Sequence, residues 1–307
     1  MINRIVLAGG SGYLGRVLAD YYKDKAHDIV ILSRKAHAPQ GNVRYLVWDG
    51  RTYGAWTEAL EGCDLLVNLS GKNVNCRYTE QNRREILSSR VEPTKALGEA
   101  IKTLKNPPKM WMQAASATIY RHAEDRYQDE ETGELGSGFS VDVCRTWESV
   151  FWEQETPGTI KVVLRIGLVL GRSDGVFPRL KNLVRFGLGG HQGTGLQYIS
   201  WIHEQDFARV TEWVFEHGKD GDILNCVSPQ ASRNKEFMRL IRNSYGIGIG
   251  LPAPQWLLEI GAVIIGTETE LILKSRWVYP GRLLERGFRF SFPEPGEAVR
   301  EVLGCRL

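Results

Sequence analysis

The 307 residues include only five cysteines, Cys63, Cys76, Cys144, Cys226 and Cys305, an odd number, widely separated and never in a CxxC pair. That spacing points away from a zinc site and from a disulfide framework, so a reducing, cytoplasmic setting is expected and no metal is called for. Net charge is almost missing, since 39 basic and 36 acidic residues leave +3. So small an excess, with no basic stripe, offers little attraction to nucleic acid or to a membrane surface. No apolar run reaches the roughly eighteen residues of a membrane span. The best candidate, Leu257 to Ile265, is interrupted by Glu259 and followed by Gly266, Thr267 and Glu268. The opening MINRIVLAGG has neither a basic region before a long apolar segment nor a small-residue cleavage site, so no export signal is expected.

What is there is enough to bury a core: 42% of residues are hydrophobic and 24% charged. Short apolar runs occur at Arg4 to Ala8, Ile29 to Ser33, Val43 to Val47, Leu65 to Leu69, Met110 to Ala115 and Val162 to Leu170. Their continuous, non-alternating character is what parallel strands covered on both faces require. Helical patterns lie between them at Leu14 to Tyr22, Thr79 to Thr103 and Val141 to Gln154. Strands and helices in alternation predict an α/β fold, a Rossmann-type doubly wound parallel sheet with right-handed crossovers. After Gly171 the pattern loosens into FGLGGHQGTG at 186 to 195, too rich in glycine for a helix or central strand. Trp201 to His217 is expected as a helix, Ile223 to Val227 as a strand, and Glu294 to Gly296 precede a last helix. The expected division is a main domain of residues 1–170 plus 201–227 and a smaller lobe of 171–200 plus 228–307. That lobe would lie over the C-terminal strand ends, where open α/β sheets bind ligands.

The strongest motif is GGSGYLG, Gly9 to Gly15, between the first apolar run and the first helical pattern. Gly9, Gly12 and Gly15 allow a tight turn, close backbone approach to a pyrophosphate and close packing of helix on strand, while the helix N-terminus offers free N–H groups to the anion. Gly9, Ser11, Gly12, Tyr13, Leu14 and Gly15 are therefore candidate contacts to a dinucleotide. About twenty residues further on, where a carboxylate would hold a ribose 2′-OH, the second run instead ends in Ser33, Arg34 and Lys35. A hydroxyl and a cation suit a 2′-phosphate, which favours NADP(H) over NAD(H). Asp49 would lie beside the adenine, and Leu69, Ser70 and Gly71 would line the adenosine and the nicotinamide ribose; simple turn roles fit each of these equally well. Arg90 joins the candidate cofactor contacts. Together with Arg77 and Arg165 it is a candidate anchor for a phosphorylated ligand, the alternative being an ordinary ion pair.

With NLSGKN at 68–73, SATIY at 116–120, LRIGLVLG at 164–171 and SWIHEQD at 200–206, the chain resembles the short-chain dehydrogenase/reductase superfamily in its extended or atypical branch. SSRVEPT at 88–94, VCRTWE at 143–148 and the tail RWVYPGRLLERGFRFSFP at 276–293 narrow the likeness to the epimerase family proteins, sugar-nucleotide epimerase-like, with that group's small C-terminal domain. The likeness spans essentially the whole chain. It implies a Rossmann domain holding NADP(H), a small lobe above the nicotinamide and a small-molecule substrate, nucleotide-linked compounds included. A homodimer joined through the long helices is an expectation from the resemblance alone.

In the superfamily a Ser or Thr after the fifth strand orients the substrate, a Tyr transfers the proton, and a Lys four residues later lowers that phenol's pKa. Ser116 matches the first role, and Tyr120, four residues on, is the second catalytic candidate. Counting back from Glu148, however, the Lys position falls on Cys144 and the Tyr position on Ser140. Tyr21 and Lys25 have the right spacing but end the first helix, away from the cleft. A serine is too weak an acid to replace an activated phenol, and a neutral thiol is no substitute for the ammonium. Two readings follow: an NADP(H)-dependent oxidoreductase or nucleotide-sugar epimerase with non-standard catalytic residues, or a non-catalytic NADP(H)-binding regulatory protein. Trp201 and Asp206 are expected to dock the lobe, and His203 is either part of that docking or a catalytic base.

Overall fold

The strands of the main sheet are β1 (Ile2–Ala8), β2 (Ala26–Ser33), β3 (Val43–Val47), β4 (Leu65–Asn68), β5 (Met110–Ser116), β6 (Ile160–Ile166) and β10 (Asp222–Cys226). In the computed structural model, which describes residues 1–259 and 268–304 (the Leu271 side chain excepted), they pair in the order β10-β6-β5-β4-β1-β2-β3. Every pairing in this sheet is parallel. Residues 260–265 of the apolar run that begins at Leu257, and Cys305, lie outside the described residues. No described helix is long and apolar enough to cross a membrane.

Strand β1 explains why the apolar runs do not alternate. Ile5 and Leu7 pack in the cluster with Leu18, Tyr22, Phe207 and Val214, whereas Val6 and Ala8 pack in the opposite cluster with Leu97, Ile101, Trp111 and Phe151. The first cluster is covered by helices α1 (Tyr13–Tyr22) and α5 (Glu204–His217), the second by α2 (Glu80–Lys102) and α3 (Phe139–Trp152). With all four β1 side chains fully buried, each removes apolar surface from water on its own side of the sheet.

Two expected elements differ from the structure. The run Val162 to Leu170 is split: β6 stops at Ile166 and β7 (Leu168–Leu170) leaves the main sheet to pair in parallel with β9 (Trp201–His203). The break falls at Gly167, where a Cβ would stand 2.6 Å from Val227 Cγ1 and 2.8 Å from the Ser200 carbonyl oxygen. Likewise Trp201 to His203 forms this strand, and the helix begins only at Glu204. His203 Nδ1 accepts the Gln205 N–H at 3.2 Å, so the ring acts as the N-cap.

A further apolar cluster gathers Phe177, Leu180 and Val184 of α4 (Phe177–Arg185), Phe237 and Ile241 of α6 (Asn234–Ser244), and Ala298, Val299 and Val302 of α9 (Pro295–Leu303), with Leu170 and Trp201. Buried Asp206 fixes the tail to α5, accepting the N–H groups of Ser291 at 2.9 Å and Phe292 at 2.8 Å. His203 Nε2 lies 2.8 Å from Glu301 Oε2 and its ring packs on Phe292 at 4.0 Å. The glycine-rich stretch at 186–195 has no helix or strand beyond Phe186 and is tied to the following segment: Gly190 N donates to the Leu251 carbonyl at 3.1 Å and Gly193 N to that of Ala253 at 2.8 Å.

Candidate functional site

The turn after β1 lies at the C-terminal edge of the sheet, beside the β1/β4 boundary where the strand order reverses. Its three motif glycines do different jobs. Gly9 has φ +71, and a Cβ there would stand 2.8 Å from the Cα of Ser70. At Gly15 it would stand 2.1 Å from the Gly10 carbonyl oxygen, so only glycine lets α1 approach the turn this closely. At Gly12 the nearest atom would be 3.8 Å away, which leaves that face open. Gly12 is the N-cap of α1 without any side-chain cap, and both Ser11 and Gly12 are exposed. The N–H groups of Tyr13, Leu14 and Gly15 open the helix and so have no partner four residues back. The Tyr13 hydroxyl is bonded to Glu204, and burial together with that carboxylate raises the pKa of its phenol.

At the neighbouring strand ends, Ser33 is buried with its hydroxyl bonded to the Lys35 carbonyl. Arg34 is exposed and pairs with no acidic group among the described residues. Asp49 follows Trp48, whose N–H donates to the Ser33 carbonyl at 2.8 Å, and it closes its own loop: it accepts the Arg51 N–H at 2.8 Å and the Thr52 N–H at 2.9 Å, and these Thr52 and Arg51 bonds lower its pKa. Leu69 N donates to the Ala8 carbonyl at 2.8 Å, and Ser70 N to Asn68 Oδ1 at 3.1 Å, so the β4 end is locked against β1. Gly71 faces Arg90, whose Cζ would be 3.1 Å from a Cβ there. Arg90 Nη1 donates to the carbonyls of Lys72 at 3.2 Å and Ile86 at 2.9 Å, and its guanidinium lies 5.0 Å from the Trp147 ring centre.

Ser116 ends β5, and its Oγ accepts the Thr118 N–H at 3.2 Å. Tyr120 is not brought to the same opening. It is 2% exposed, its hydroxyl donating to Asn225 Oδ1 at 3.0 Å and accepting from Arg165 Nη1 at 2.9 Å, while Arg165 grips Glu148 through two bonds of 2.9 and 2.8 Å. Burial raises its pKa. A phenol sealed between two internal partners does not fit the expected role of proton donor; Tyr120 is a buried structural residue, and Arg165 an ion-paired one. Arg77 is paired as well, with Glu268 at 3.3 Å. Tyr21 and Lys25 both bind Glu212 of α5, on the far side of α1 from the turn.

Ser140 and Cys144 stand one helical turn apart on α3. Ser140 Oγ donates to Glu270 Oε2 at 3.0 Å, and the Tyr78 hydroxyl lies 3.4 Å from the same Oγ. The Cys144 thiol is pushed up to about 11 by burial, despite the opposing influence of Arg90, Lys274 and Arg276, and so stays neutral. Tyr78, Glu270, Lys274 and Arg276 were invisible as site residues in the sequence, because they lie more than 60 positions from Ser140 or on the other side of the C-terminal segment. The one signal was the tail motif that opens with Arg276, legible as a mark of the lobe but not of the cleft. Next to them is a cavity of about 480 Å³, bordered by Gly138, Glu270 and Lys274.

Comparison with known proteins agrees with this geometry. The NAD dependent epimerase/dehydratase family matches residues 5–226, and a domain of unknown function, DUF1731, matches residues 253–302. The bovine epimerase family protein SDR39U1 is 32% identical over 306 residues, covering 98% of this chain and 99% of the relative. The epimerase family protein YfhF of Bacillus subtilis is 30% identical, with 98% of each chain covered. A crystal structure of human SDR39U1 (isoform 2) with NADPH superposes with a TM-score of 0.85 at 29% identity, over 98% of this chain and 99% of that one. The seven-stranded sheet with its open glycine turn is thus that of a protein which belongs to the NAD dependent epimerase/dehydratase family and continues into a DUF1731 domain.

Proposed function

We propose that this chain is an NADP(H)-dependent oxidoreductase or epimerase acting on a small polar carbonyl compound or sugar, nucleotide-linked ones included, in the cleft between the β5 end and the C-terminal segment. The observation that carries the reading is the open face at Gly12, set at an uncapped helix N-terminus with exposed Arg34 at the adjoining strand end. The residues present fit the cofactor: the N–H groups of Tyr13, Leu14 and Gly15 hold its pyrophosphate and Arg34 its 2′-phosphate. When bound, NADP(H) supplies or takes up the hydride. Ser116 Oγ polarises the substrate oxygen from the end of β5. Tyr78, Ser140 and Glu270 form the adjoining line of exchangeable protons, in the place where the superfamily has its Tyr.

The neutral Cys144 where a Lys is usual favours a second reading, a non-catalytic protein whose NADP(H) occupancy controls a partner surface. One experiment separates the two. NADPH and NADH are titrated by nicotinamide fluorescence, and the preferred complex is then offered a panel of carbonyl compounds and nucleotide sugars. Preference for NADPH with substrate-dependent change in its absorbance supports the enzyme; tight binding with no turnover across the panel supports the second reading; no binding of either nucleotide removes both.

A further inference from the structure

The glycine-rich stretch at 186–195 and the segment at 249–257 lie backbone against backbone. Leu251 N donates to the Gly187 carbonyl at 2.8 Å and Ala253 N to that of His191 at 2.9 Å. A Cβ at Gly190 would stand 2.4 Å from the Leu251 carbonyl carbon, and one at Gly250 2.6 Å from that of Gly189. With glycine backbone filling the space between the two segments, the larger side chains around it stand outward. Phe186 is 80% exposed, Ile249 83%, Leu251 62% and Trp256 63%, and Leu188 and Leu257 are exposed beside them. Apart from Met1, the first four are the most exposed large apolar side chains of the described residues. Apolar residues scattered singly need no explanation, but a gathered group is the mark of a surface that meets something apolar.

The charge around the group selects its partner. Helix α4, which runs into Phe186, buries Phe177, Leu180 and Val184 and leaves Arg179, Asn182 and Arg185 exposed. It holds three cations, Arg179, Lys181 and Arg185, and no acid, and none of the three is ion-paired among the described residues. Residues 171–196 and 228–259 together carry eight basic and three acidic residues, which leaves 31 of the 39 basic and 33 of the 36 acidic ones to the rest of the chain. The overall +3 thus conceals a positive lobe on a slightly negative body. A second copy placed symmetrically on this surface would set cations against cations. The face of an anionic bilayer instead offers an apolar boundary beneath negative phosphates, and it asks for protruding side chains rather than a shaped groove. Tryptophan is at home at that depth.

We propose that the paired loops at 186–193 and 249–257 dock on the surface of an anionic phospholipid bilayer. Phe186, Leu188, Ile249, Leu251, Trp256 and Leu257 enter the headgroup boundary, and Arg179, Lys181 and Arg185 meet the lipid phosphates around them. The contact is with one leaflet, involves no spanning helix and does not depend on the reading of the cofactor or the cleft.

The test sediments the whole protein with vesicles of phosphatidylcholine alone and of phosphatidylcholine mixed with phosphatidylglycerol. Binding to the mixed vesicles is expected, with little to the neutral ones, and it should fall as salt is raised. Phe186→Ser combined with Leu251→Ser should weaken it about tenfold or more, and Arg185→Gln about fivefold. These side chains are exposed, so the thermal transition should stay at the parent's value. Val47→Ser, an equally exposed site on the edge strand β3, should leave vesicle binding unchanged. Equal binding to neutral and anionic vesicles, or full binding by the Phe186→Ser and Leu251→Ser variant, overturns the proposal. So does the absence of binding to either vesicle, and size-exclusion chromatography then assigns the surface: a parent dimer dispersed by the same double change gives it to a second copy, and a monomer gives it to an acidic protein.

Discussion

The Tyr13 hydroxyl donates to Glu204 Oε2 at 2.8 Å, joining the first residue of α1 to the first residue of α5. The bond crosses directly over Gly171, where a Cβ would stand 1.8 Å from the Tyr13 oxygen and 2.2 Å from Glu204 Oε2. Gly171→Ala must therefore break the contact or shift α1. The expected cost is about 1–3 kcal/mol, in the range of an overpacked site. NADPH should also bind more weakly, because α1 begins at the disturbed residue. Thermal unfolding and a fluorescence titration check both, and a variant with the parent's melting temperature would show that the loop at 171 yields freely.

Arg34→Ala should weaken NADPH far more than NADH, by about 1–3 kcal/mol if a charge-assisted phosphate contact is lost. Parallel titrations of the two nucleotides provide the comparison. Equal affinity of parent and variant for NADPH would remove Arg34 from the cofactor site.

Tyr120→Phe deletes a hydroxyl held between Asn225 and Arg165. It leaves a buried acceptor and a buried donor without their partner, at an expected cost of about 1–3 kcal/mol. Denaturant unfolding should register that loss while NADPH affinity stays unchanged in the folded protein. A variant of full stability but no activity would restore Tyr120 as a candidate acid.

Asp222 predicts a pH effect. Burial acts to raise its pKa, but the bidentate Arg286 pair, at 2.6 and 2.9 Å, and the Lys219 N–H overcome burial and hold it below the usual carboxylate value. A carboxylate depressed in the folded state binds its proton more readily when unfolded. Its contribution is therefore complete above the unfolded value of about 3.9 and is lost as pH falls through the lower folded one. Asp222→Asn should cost about 1–3 kcal/mol near neutral pH and flatten the loss of stability that sets in as pH falls below about 4. Urea unfolding at several pH values checks it; a variant with the parent's acid slope would assign the acid sensitivity elsewhere.

The main sheet was legible because its strands are buried on both faces, as Ile5 through Ala8 are, and a continuous apolar run records that directly. The glycine turn was legible because its spacing is local and its flanks are short. Gly167 was not: it ends β6 through contact with Val227 and Ser200, residues no nearby pattern announces. Trp201 to His203 is a strand because β7 is there to pair with it, and the helical signal of α5 hid that boundary. The cleft around Ser140 failed for the same reason on a larger scale. Tyr78, Glu270, Lys274 and Arg276 converge only after two distant segments have folded onto α3 and β5.

The cluster that joins Phe177 and Leu180 to Phe237 and Val299 also has a meaning for how this protein can be taken apart. The chain leaves the main sheet after β6, builds part of that cluster, and returns to lay down β10 before completing it. No single cut separates the two cores. A transplant of the DUF1731 segment onto another member of the family would need to carry the 171–200 excursion with it, so the two parts can be exchanged only as an interleaved pair.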